Sequence, residues 1–182
     1  MKDSVGKILL DKRIKAVLPH VKGYLLDIGC GTNELVKNYS GKGIGVDVYQ
    51  WGDVDVVVEN TAELSFDEKT FDTITIIAAL NHIPNRKEVL IEANRLLKND
   101  GSLIVTMIPP KISRVWHGIR KPWDADQSER GMKKGEVYGI TEKDLEELLS
   151  NTGFIIKFKK KFMLGVNNLT IAKKKAENHE IK

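Results

Sequence analysis

Two acids and two glycines in the first third of the chain have the residue types and the spacing of a ligand-binding turn. In LLDIGCGTN, Asp27 precedes Gly29 and Gly31, and Asp47 follows Asp27 by about 20 residues. Glycine lets a ligand approach the backbone closely, and a carboxylate can accept hydrogen bonds from two adjacent ribose hydroxyls. An ammonium group on the same ligand would suit Asp27. The pattern therefore indicates a site for an adenosine-containing ligand, with an ordinary tight turn as the structural alternative for the glycines alone.

Two other ligands of glycine-rich turns fit this sequence less well. A phosphate-binding loop requires GxxxxGK[ST], and no such lysine and hydroxyl residue follow these glycines. A dinucleotide site would have its third glycine at position 34, where the carboxylate of Glu34 would repel a pyrophosphate. We therefore predict a ligand with fewer negative charges, preferably one that carries a cation.

Short apolar strands alternate with amphipathic helices along most of the chain. The predicted strands are residues 24–28, 43–48, 54–58, 73–77, 102–108, 154–162 and 166–172, and the predicted helices are residues 4–18, 34–39, 85–98 and 141–149. This alternation is typical of a parallel sheet with helices on both faces. We predict an α/β fold with a doubly wound, Rossmann-like, seven-stranded sheet, mostly parallel with an antiparallel C-terminal strand. The second, third and fourth strands are apolar enough to be covered on both faces.

The length and composition predict one domain. The chain has 182 residues, of which 41% are hydrophobic and 30% charged, as is ordinary for a globular protein. We predict a single domain over residues 1–182, with an N-terminal helix within 1–20 and a loose tail at 173–182. Residues 109–140 show neither a helical nor a strand period, and a loop of this length is usually functional or disordered.

Charge and cysteine content limit the expected partners. The net charge is +4, and lysines cluster at positions 157, 159–161 and 173–175. Such a cluster could contact phosphates but is more often a solvated face, so we do not expect nucleic-acid binding. Cys30 is the only cysteine, and no Cys/His cluster predicts a metal site. No segment has the apolar length of a membrane span or the pattern of a signal peptide, so we expect a cytoplasmic protein.

Four stretches of the sequence resemble the motifs of one enzyme family. LLDIGCGT is similar to its first motif, GIGVDV to its second, NTAELSFDEKTFDTITIIAALNHIPN to its pattern through the fourth strand, and RLLKNDGSLIVTM to its fifth-strand region. On these motifs the chain resembles a class I S-adenosylmethionine-dependent methyltransferase of the small type 11 group. The resemblance covers about residues 23–108 and, more loosely, the later elements. It implies S-adenosylmethionine as the cofactor.

The resemblance also implies roles for individual residues. The methionine end of the cofactor would lie at Asp27, Gly29, Cys30 and Gly31, the ribose hydroxyls at Asp47, and the remaining cofactor contacts at Val48, Asn60, Thr61 and Ala78. Asn60 replaces the usual aspartate, although an amide oxygen also accepts hydrogen bonds from an amino group. Asn33 replaces the common third glycine, and asparagine tolerates a left-handed backbone better than most residues. Cys30 is interpreted as a backbone contact rather than a nucleophile.

Methyl transfer from a sulfonium depends on alignment more than on acid or base catalysis. The reaction is an in-line displacement on an activated electrophile, so placing the nucleophile, methyl group and sulfur in line supplies much of the rate. A general base helps only where the acceptor proton has an unfavourable pKa. The candidate catalytic residues are His82, after the fourth strand, and His117, in the long loop. A structural histidine is the alternative for His82, and a solvent-exposed one for His117.

Residues 109–140 are expected to form much of the acceptor pocket. Trp116 and Trp123 could line it, and four acids could meet a polar acceptor: Asp124, Asp126, Glu129 and Glu136. The [DN]PP[YF] signature of many amino-group methylators is missing after the fourth strand, which favours a small-molecule acceptor. The leading hypothesis is therefore a methyltransferase that acts on a small molecule. The alternatives are a noncatalytic binding or scaffold protein with the same fold and a nucleic-acid methyltransferase.

Overall fold

The alternating pattern of the sequence folds into alternating strands and helices. The computed structural model describes residues 4–110, 135, 137 and 139–175. Its strands are β1 (Leu25–Ile28), β2 (Gly43–Asp47), β3 (Val56–Val57), β4 (Phe71–Ile77), β5 (Leu97–Met107), β6 (Phe154–Phe162) and β7 (Asn167–Lys174). Its α-helices are α1 (Ser4–Val17), α2 (Glu34–Asn38), α3 (Arg86–Leu96) and α4 (Glu142–Asn151), and short 3-10 turns cover Leu18–His20 and Leu80–His82.

The strands of the described residues form one seven-stranded sheet in the order β3-β2-β1-β4-β5-β7-β6. Neighbours among β1 to β5 run parallel, whereas β7 runs antiparallel to both β5 and β6. The predicted α/β fold, mostly parallel with an antiparallel C-terminal strand, is confirmed. Because β1 lies between β2 and β4, the strand order reverses beside it, and a doubly wound sheet binds its ligand at such a point.

The central strands are apolar on both faces because helices cover both faces. One core cluster packs Leu26 and Ile74 against α3 and α4. A second cluster packs Leu25 and Ile104 against Ile14 of α1. Neighbouring residues of a strand point to opposite faces, so Leu25 and Leu26 belong to different clusters. This packing holds the carboxyl ends of β1, β2 and β4 together at one edge of the sheet.

The third strand differs from the prediction. Residues 54–58 were expected to form a strand covered on both faces, but only Val56–Val57 is a strand. The side chains of Val56 and Val57 are 37% and 48% exposed. The reason is that β3 lies at the edge of the sheet. Valines there still favour the strand conformation, but they have a neighbouring strand on one side only.

The boundary between α3 and β5 also differs from the prediction. Asn99, Asp100 and Gly101 were expected to end the helix, but α3 ends at Leu96 and β5 begins at the next residue. The pairing with β4 is interrupted over this stretch, which forms an irregularity inside the strand. A Cβ atom on Gly101 would lie 2.7 Å from the side chain of Leu97, so glycine avoids crowding at this irregularity.

The cap of α4 is the one predicted. Thr141 precedes the helix, and its hydroxyl oxygen accepts a hydrogen bond from the backbone N of Asp144 at 3.1 Å. None of the helices in the described residues is long and apolar enough to cross a membrane.

Candidate active site

The glycine turn follows β1 and lies between the ends of β2 and β4. Gly29 and Gly31 have φ values of 72° and 55°, in the left-handed region that glycine adopts without strain. The backbone N of Gly29 donates to the carbonyl of Val46 in β2 at 2.9 Å. A Cβ atom on Gly29 would lie 2.6 Å from that of Ala79, whereas one on Gly31 would meet nothing within 4 Å. The turn is therefore closed at Gly29 and open at Gly31.

The carboxylate of Asp47 is held in a fixed orientation at the end of β2. The side chain is 8% exposed. Its Oδ2 accepts from the backbone N of Gly31 at 2.9 Å, and its Oδ1 accepts from the backbone N of Tyr49 at 3.1 Å. A carboxylate has about four acceptor positions, so two remain for the hydroxyls of a ligand.

Asp27 is a second carboxylate, buried beneath the turn. It is 2% exposed, and the hydroxyl of Thr75 donates to its Oδ1 at 2.6 Å. Burial raises the pKa of Asp27 to about 7; the Thr75 bond opposes this rise and the charge of Asp47 adds to it. A cation bound nearby would favour the ionised form of Asp27.

Cys30 has the environment of a protonated thiol. Burial raises the pKa of this thiol far above its ordinary value, and the charges of Asp27, Asp47 and Asp55 raise it further. A thiol is a nucleophile only as the thiolate. The environment therefore supports the structural interpretation of Cys30.

Asn33 ties the glycine turn to the segment before β3. Its backbone is left-handed, with φ of 62°, as its replacement of a glycine predicts. Its side-chain Nδ2 donates to the carbonyl of Asp53 and to Oδ2 of Asp55, both at 2.9 Å. A Cβ atom on Gly45 would lie 2.0 Å from Oδ1 of Asn33, so the glycine of GIGVDV makes room for this side chain.

A cleft of about 390 Å³ opens above the turn at the carboxyl ends of the strands. It brings together seven of the predicted site residues: Gly29, Gly31, Asp47, Val48, Thr61, Ala78 and His82. Asp27, Cys30 and Asn60 do not line it. His117, Trp116, Trp123 and the four acids of residues 124–136 lie outside the described residues.

Asn60 is engaged within the protein. Its Oδ1 accepts from the backbone N of Ala62 and from Nδ2 of Asn85, both at 3.0 Å, and its Nδ2 donates to Glu63 at 2.9 Å. The amide oxygen that could accept from an adenine amino group therefore already has two partners. These bonds order the turn that carries Thr61, which does line the cleft.

The cleft also contains residues that the sequence analysis missed. Trp51 lines it near Val48 and stacks at a tilt on Tyr49, with ring centroids 4.4 Å apart. Two aromatic residues, two and four positions after the acid of the second strand, are a signal that could have been noticed. Leu10 enters the cleft from α1, and nothing in the local sequence indicates that contact.

The turn that carries His82 is held by bonds from distant parts of the chain. Ala78 begins it with a left-handed φ of 51°, and its backbone N donates to the carbonyl of Thr106 in β5 at 3.0 Å. Arg86 donates to the carbonyls of Leu80 at 3.1 Å and Gly135 at 2.6 Å. His82 is thus placed on a fixed turn that lines the same cleft as Asp47.

The chemistry of the cleft fits a cationic adenosine ligand. No lysine or arginine of the described residues lines it, which disfavours a polyphosphate. Asp47 and the open backbone at Gly31 suit hydroxyl and amino-acid groups, and Val48 and Trp51 give an apolar wall. The described residues contain no group of three or more side chains that could hold a metal ion.

Three of the seven lysines in the C-terminal cluster contact α4. Lys159 pairs with Glu146, and Lys161 pairs with Glu142 at 3.0 Å. The Nζ of Lys175 donates to the carbonyl of Ser150 at 2.6 Å. These pairs neutralise part of the positive face that a nucleic acid would need.

Comparison with known proteins identifies the family. A family model described as a methyltransferase domain matches residues 7–156. The solved structure of an S-adenosylmethionine-dependent methyltransferase from Archaeoglobus fulgidus has the same fold, with a TM-score of 0.68 and 22% sequence identity; the match covers 91% of this chain and 93% of that one. The chain belongs to the methyltransferase-domain family, and the predicted class and the predicted cofactor, S-adenosylmethionine, are confirmed.

Two relatives are similar over part of their length. The uncharacterized protein MJ1252 of Methanocaldococcus jannaschii is 41% identical over 92 residues, which cover 46% of this chain and 36% of that protein. The ubiquinone/menaquinone biosynthesis C-methyltransferase UbiE of Rickettsia typhi is 31% identical over 112 residues, which cover 62% of this chain and 42% of that enzyme. The chain thus spans less than half the length of either relative.

Proposed function

We propose that this member of the methyltransferase-domain family transfers a methyl group from S-adenosylmethionine to a small-molecule acceptor in the cytoplasm. One observation carries the proposal: a single cleft joins the open glycine turn and the oriented carboxylate of Asp47 to the fixed turn of His82. A site for the cofactor would therefore adjoin a site for a second molecule.

The roles of the residues follow from this arrangement. When bound, S-adenosylmethionine supplies a methyl group already activated by the positive sulfur. The two free acceptor positions of Asp47 would hold the ribose hydroxyls, and the backbone at Gly31 would hold the methionine end. The negative charge of Asp27, buried beneath the turn, would stabilise the ammonium group. Trp51 would pack beside the adenine. His82 would orient the acceptor or take its proton.

Three observations support a small acceptor. The cleft is walled by apolar residues such as Ile77 and Ile83 and is large enough for small ligands. The basic C-terminal strands carry ion pairs with α4, which disfavours the nucleic-acid alternative. The name of the UbiE relative says that it methylates carbon in quinone biosynthesis, which makes a hydroquinone a rational first acceptor to test.

The test combines binding with turnover. We expect titration calorimetry to show binding of both S-adenosylmethionine and its demethylated product, S-adenosylhomocysteine. Labelled methyl transfer would then be measured against a panel of small phenols, hydroquinones, amines and carboxylic acids, with transfer RNA and duplex DNA as macromolecular acceptors. Absence of cofactor binding would refute the proposal.

The two alternatives predict different results in the same experiment. Cofactor binding without transfer to any acceptor would favour a noncatalytic binding protein. Transfer to nucleic acid with a steep salt dependence would favour the nucleic-acid methyltransferase, because phosphate contacts release counterions.

A further inference from the structure

Arg13 lies mostly buried at the same edge of the sheet as the cleft. It is on α1, one turn after Leu10, which lines the cleft. Its Nε donates to Oδ1 of Asn167 at 2.9 Å, and Asn167 is fully buried. Asn167 begins β7, and the next residue, Asn168, pairs with Met107 at the carboxyl end of β5. Arg13 therefore stands beside the carboxyl end of β5, next to the cleft residue Leu10 on α1 but outside the lining of the cleft itself.

This guanidinium has no counterion among the described residues. Burial lowers the pKa of Arg13 to about 10, and no described carboxylate opposes the effect. The acid nearest to it along α1, Asp11, pairs with Lys15 at 2.8 Å instead. A partly buried charge is stabilised when an opposite charge and hydrogen bonds replace the water that it has lost. Within the described residues Arg13 has one hydrogen bond to an amide, so a bound anion would add the missing opposite charge.

The remaining donors of Arg13 are available to a ligand. A guanidinium has five N–H donors, and only the Nε donor is used within the described residues. Neither Nη atom is completely enclosed by the protein, so both are accessible to a ligand. The bond to Asn167 fixes the plane of the guanidinium, and Asn167 is itself anchored through Nδ2 to the sulfur of Met163 at 3.5 Å.

We propose that Arg13 recognises an anionic group, a carboxylate or a phosphate, on the methyl acceptor. The acceptor would then be an anionic small molecule whose reactive end lies near His82 and whose anionic end lies near Asn167. This inference rests on the proposed function, since it places the acceptor at the cleft. Arginine suits the role because its planar fork binds a carboxylate or phosphate through two parallel hydrogen bonds.

The first experiment measures anion binding without requiring turnover. Nitrogen-labelled protein saturated with S-adenosylhomocysteine is titrated with benzoate, phenyl phosphate or the neutral benzamide, and heteronuclear NMR follows the Nε–H signal of Arg13 and the side-chain amide of Asn167. We expect benzoate or phenyl phosphate to shift both signals and benzamide to shift neither. Which of the two anions binds more tightly distinguishes a carboxylate from a phosphate.

Matched variants separate the charge from the structural contact. Arg13→Gln keeps an amide donor for Asn167 but removes the charge, and we expect it to weaken anion binding by about 10- to 100-fold. Arg13→Lys keeps the charge but loses the fork and should give an intermediate loss. Lys12→Gln, an exposed change of the same charge on the same helix, should have no effect.

The second experiment asks whether the contact selects substrates. We expect para-hydroxybenzoate to be methylated with a higher kcat/KM than para-hydroxybenzamide, and Arg13→Gln to abolish that preference by lowering kcat/KM far more for the benzoate than for the benzamide. A merely structural role would lower both rates together.

Two results would overturn the inference. One is an equal response to benzoate, phenyl phosphate and benzamide; the other is unchanged anion affinity in an Arg13→Gln protein that still binds S-adenosylhomocysteine. If wild-type protein fails to bind S-adenosylhomocysteine, the proposed function fails, and the anion titration of the free protein still decides the role of Arg13.

Discussion

The two sides of the cleft are built in different ways. The cofactor side consists of the turn after β1, the end of β2 and the segment before β3, joined by hydrogen bonds in which at least one partner is usually backbone. The proposed acceptor side combines Leu10 of α1 with the turn after β4, and arginine side chains make connections beside it: Arg13 bonds Asn167, and Arg86 bonds Gly135.

This difference leads us to expect that cofactor binding and acceptor selection depend on different residues. A site made of neighbouring backbone groups can hold one cofactor while the rest of the sequence changes. A site made of side chains from distant elements changes with each substitution in those elements. We therefore expect substitutions on the cofactor side to alter cofactor affinity, and substitutions on the acceptor side to alter transfer at nearly constant cofactor affinity.

The largest effect is expected from Asp47→Ala. Its carboxylate would accept from two ribose hydroxyls, and a hydrogen bond to a charged group contributes about 1.5–3 kcal/mol, so affinity for S-adenosylhomocysteine should fall about 100-fold or more. Titration calorimetry measures the change. Glu68→Ala, which removes an exposed acid away from the cleft, is the control and should leave affinity unaltered. Unchanged affinity in Asp47→Ala would remove Asp47 from the ribose role.

Gly45→Ala should affect the stability of the cofactor side. The added methyl group would lie 2.0 Å from Oδ1 of Asn33, and overpacking of this kind costs about 1–3 kcal/mol. Thermal and denaturant unfolding measure the loss. The double variant Gly45→Ala with Asn33→Gly removes the clash and should recover part of the stability, although it also loses the bonds of Asn33 to residues 53 and 55. Equal stability of Gly45→Ala and wild type would show that the turn of Asn33 shifts to make room for the methyl group at no cost in stability.

A smaller effect is expected from the ionisation of Asp27. The pKa of this carboxyl is raised to about 7, so it is neutral below neutral pH and charged above it. If the charged form binds the ammonium group, affinity for S-adenosylhomocysteine should rise roughly tenfold between about pH 6 and pH 8. Asp27→Asn should abolish this rise. A profile in the wild type as flat as that of the variant would contradict the role.

The same group links pH to the stability of the free protein. Its pKa in the folded chain lies above the ordinary value of 3.8, so the folded state binds its proton more tightly than the unfolded state. The contribution to stability is complete below about pH 3.8 and is lost as pH rises through about 7. The free energy of unfolding of Asp27→Asn, measured by denaturant titration, should lack this decline.

The cofactor side was predictable because its parts are close in sequence. Asp27, Gly31 and Asp47 lie on two successive strands, and the topology of a doubly wound sheet brings the ends of those strands together. Asn33 shows the limit of prediction from sequence. Its left-handed backbone was predicted from the residue type, but its bonds to Asp53 and Asp55 depend on the loop geometry.

The rest could not be read from local patterns. Leu10 and Arg13 have the spacing of any amphipathic helix, and only the packing of α1 over the sheet brings them to the strand ends. The exposure of β3 depends on its place at the edge of the sheet, which a run of valines does not reveal. Asn60 has the residue type of an adenine contact, yet its bond to Asn85 is tertiary.

Arg86→Met gives the smallest expected change in cofactor affinity. It therefore tests most sharply whether the acceptor side affects methyl transfer without affecting cofactor binding. Arg86 donates to the carbonyl of Leu80 in the His82 turn and to that of Gly135, and Val137 donates to Asn81 beside them. Loss of these bonds should raise the exchange rate of the Val137 amide by about tenfold, as expected for about 1.4 kcal/mol, and should lower methyl transfer.

The matched control for this variant lies on the same helix. Arg95 also donates to two carbonyls, those of Leu64 and Phe66, and pairs with Glu92, but none of these partners belongs to the turn that carries His82. Arg95→Met should lower stability without changing exchange at Val137 or the rate of transfer. Because the turn of Gly31 and Asp47 closes without Arg86, affinity for S-adenosylhomocysteine should stay within about twofold of wild type in both variants, a change below about 0.5 kcal/mol. A loss in Arg86→Met as large as that in Asp47→Ala would mean that the acceptor side holds the cofactor side in place.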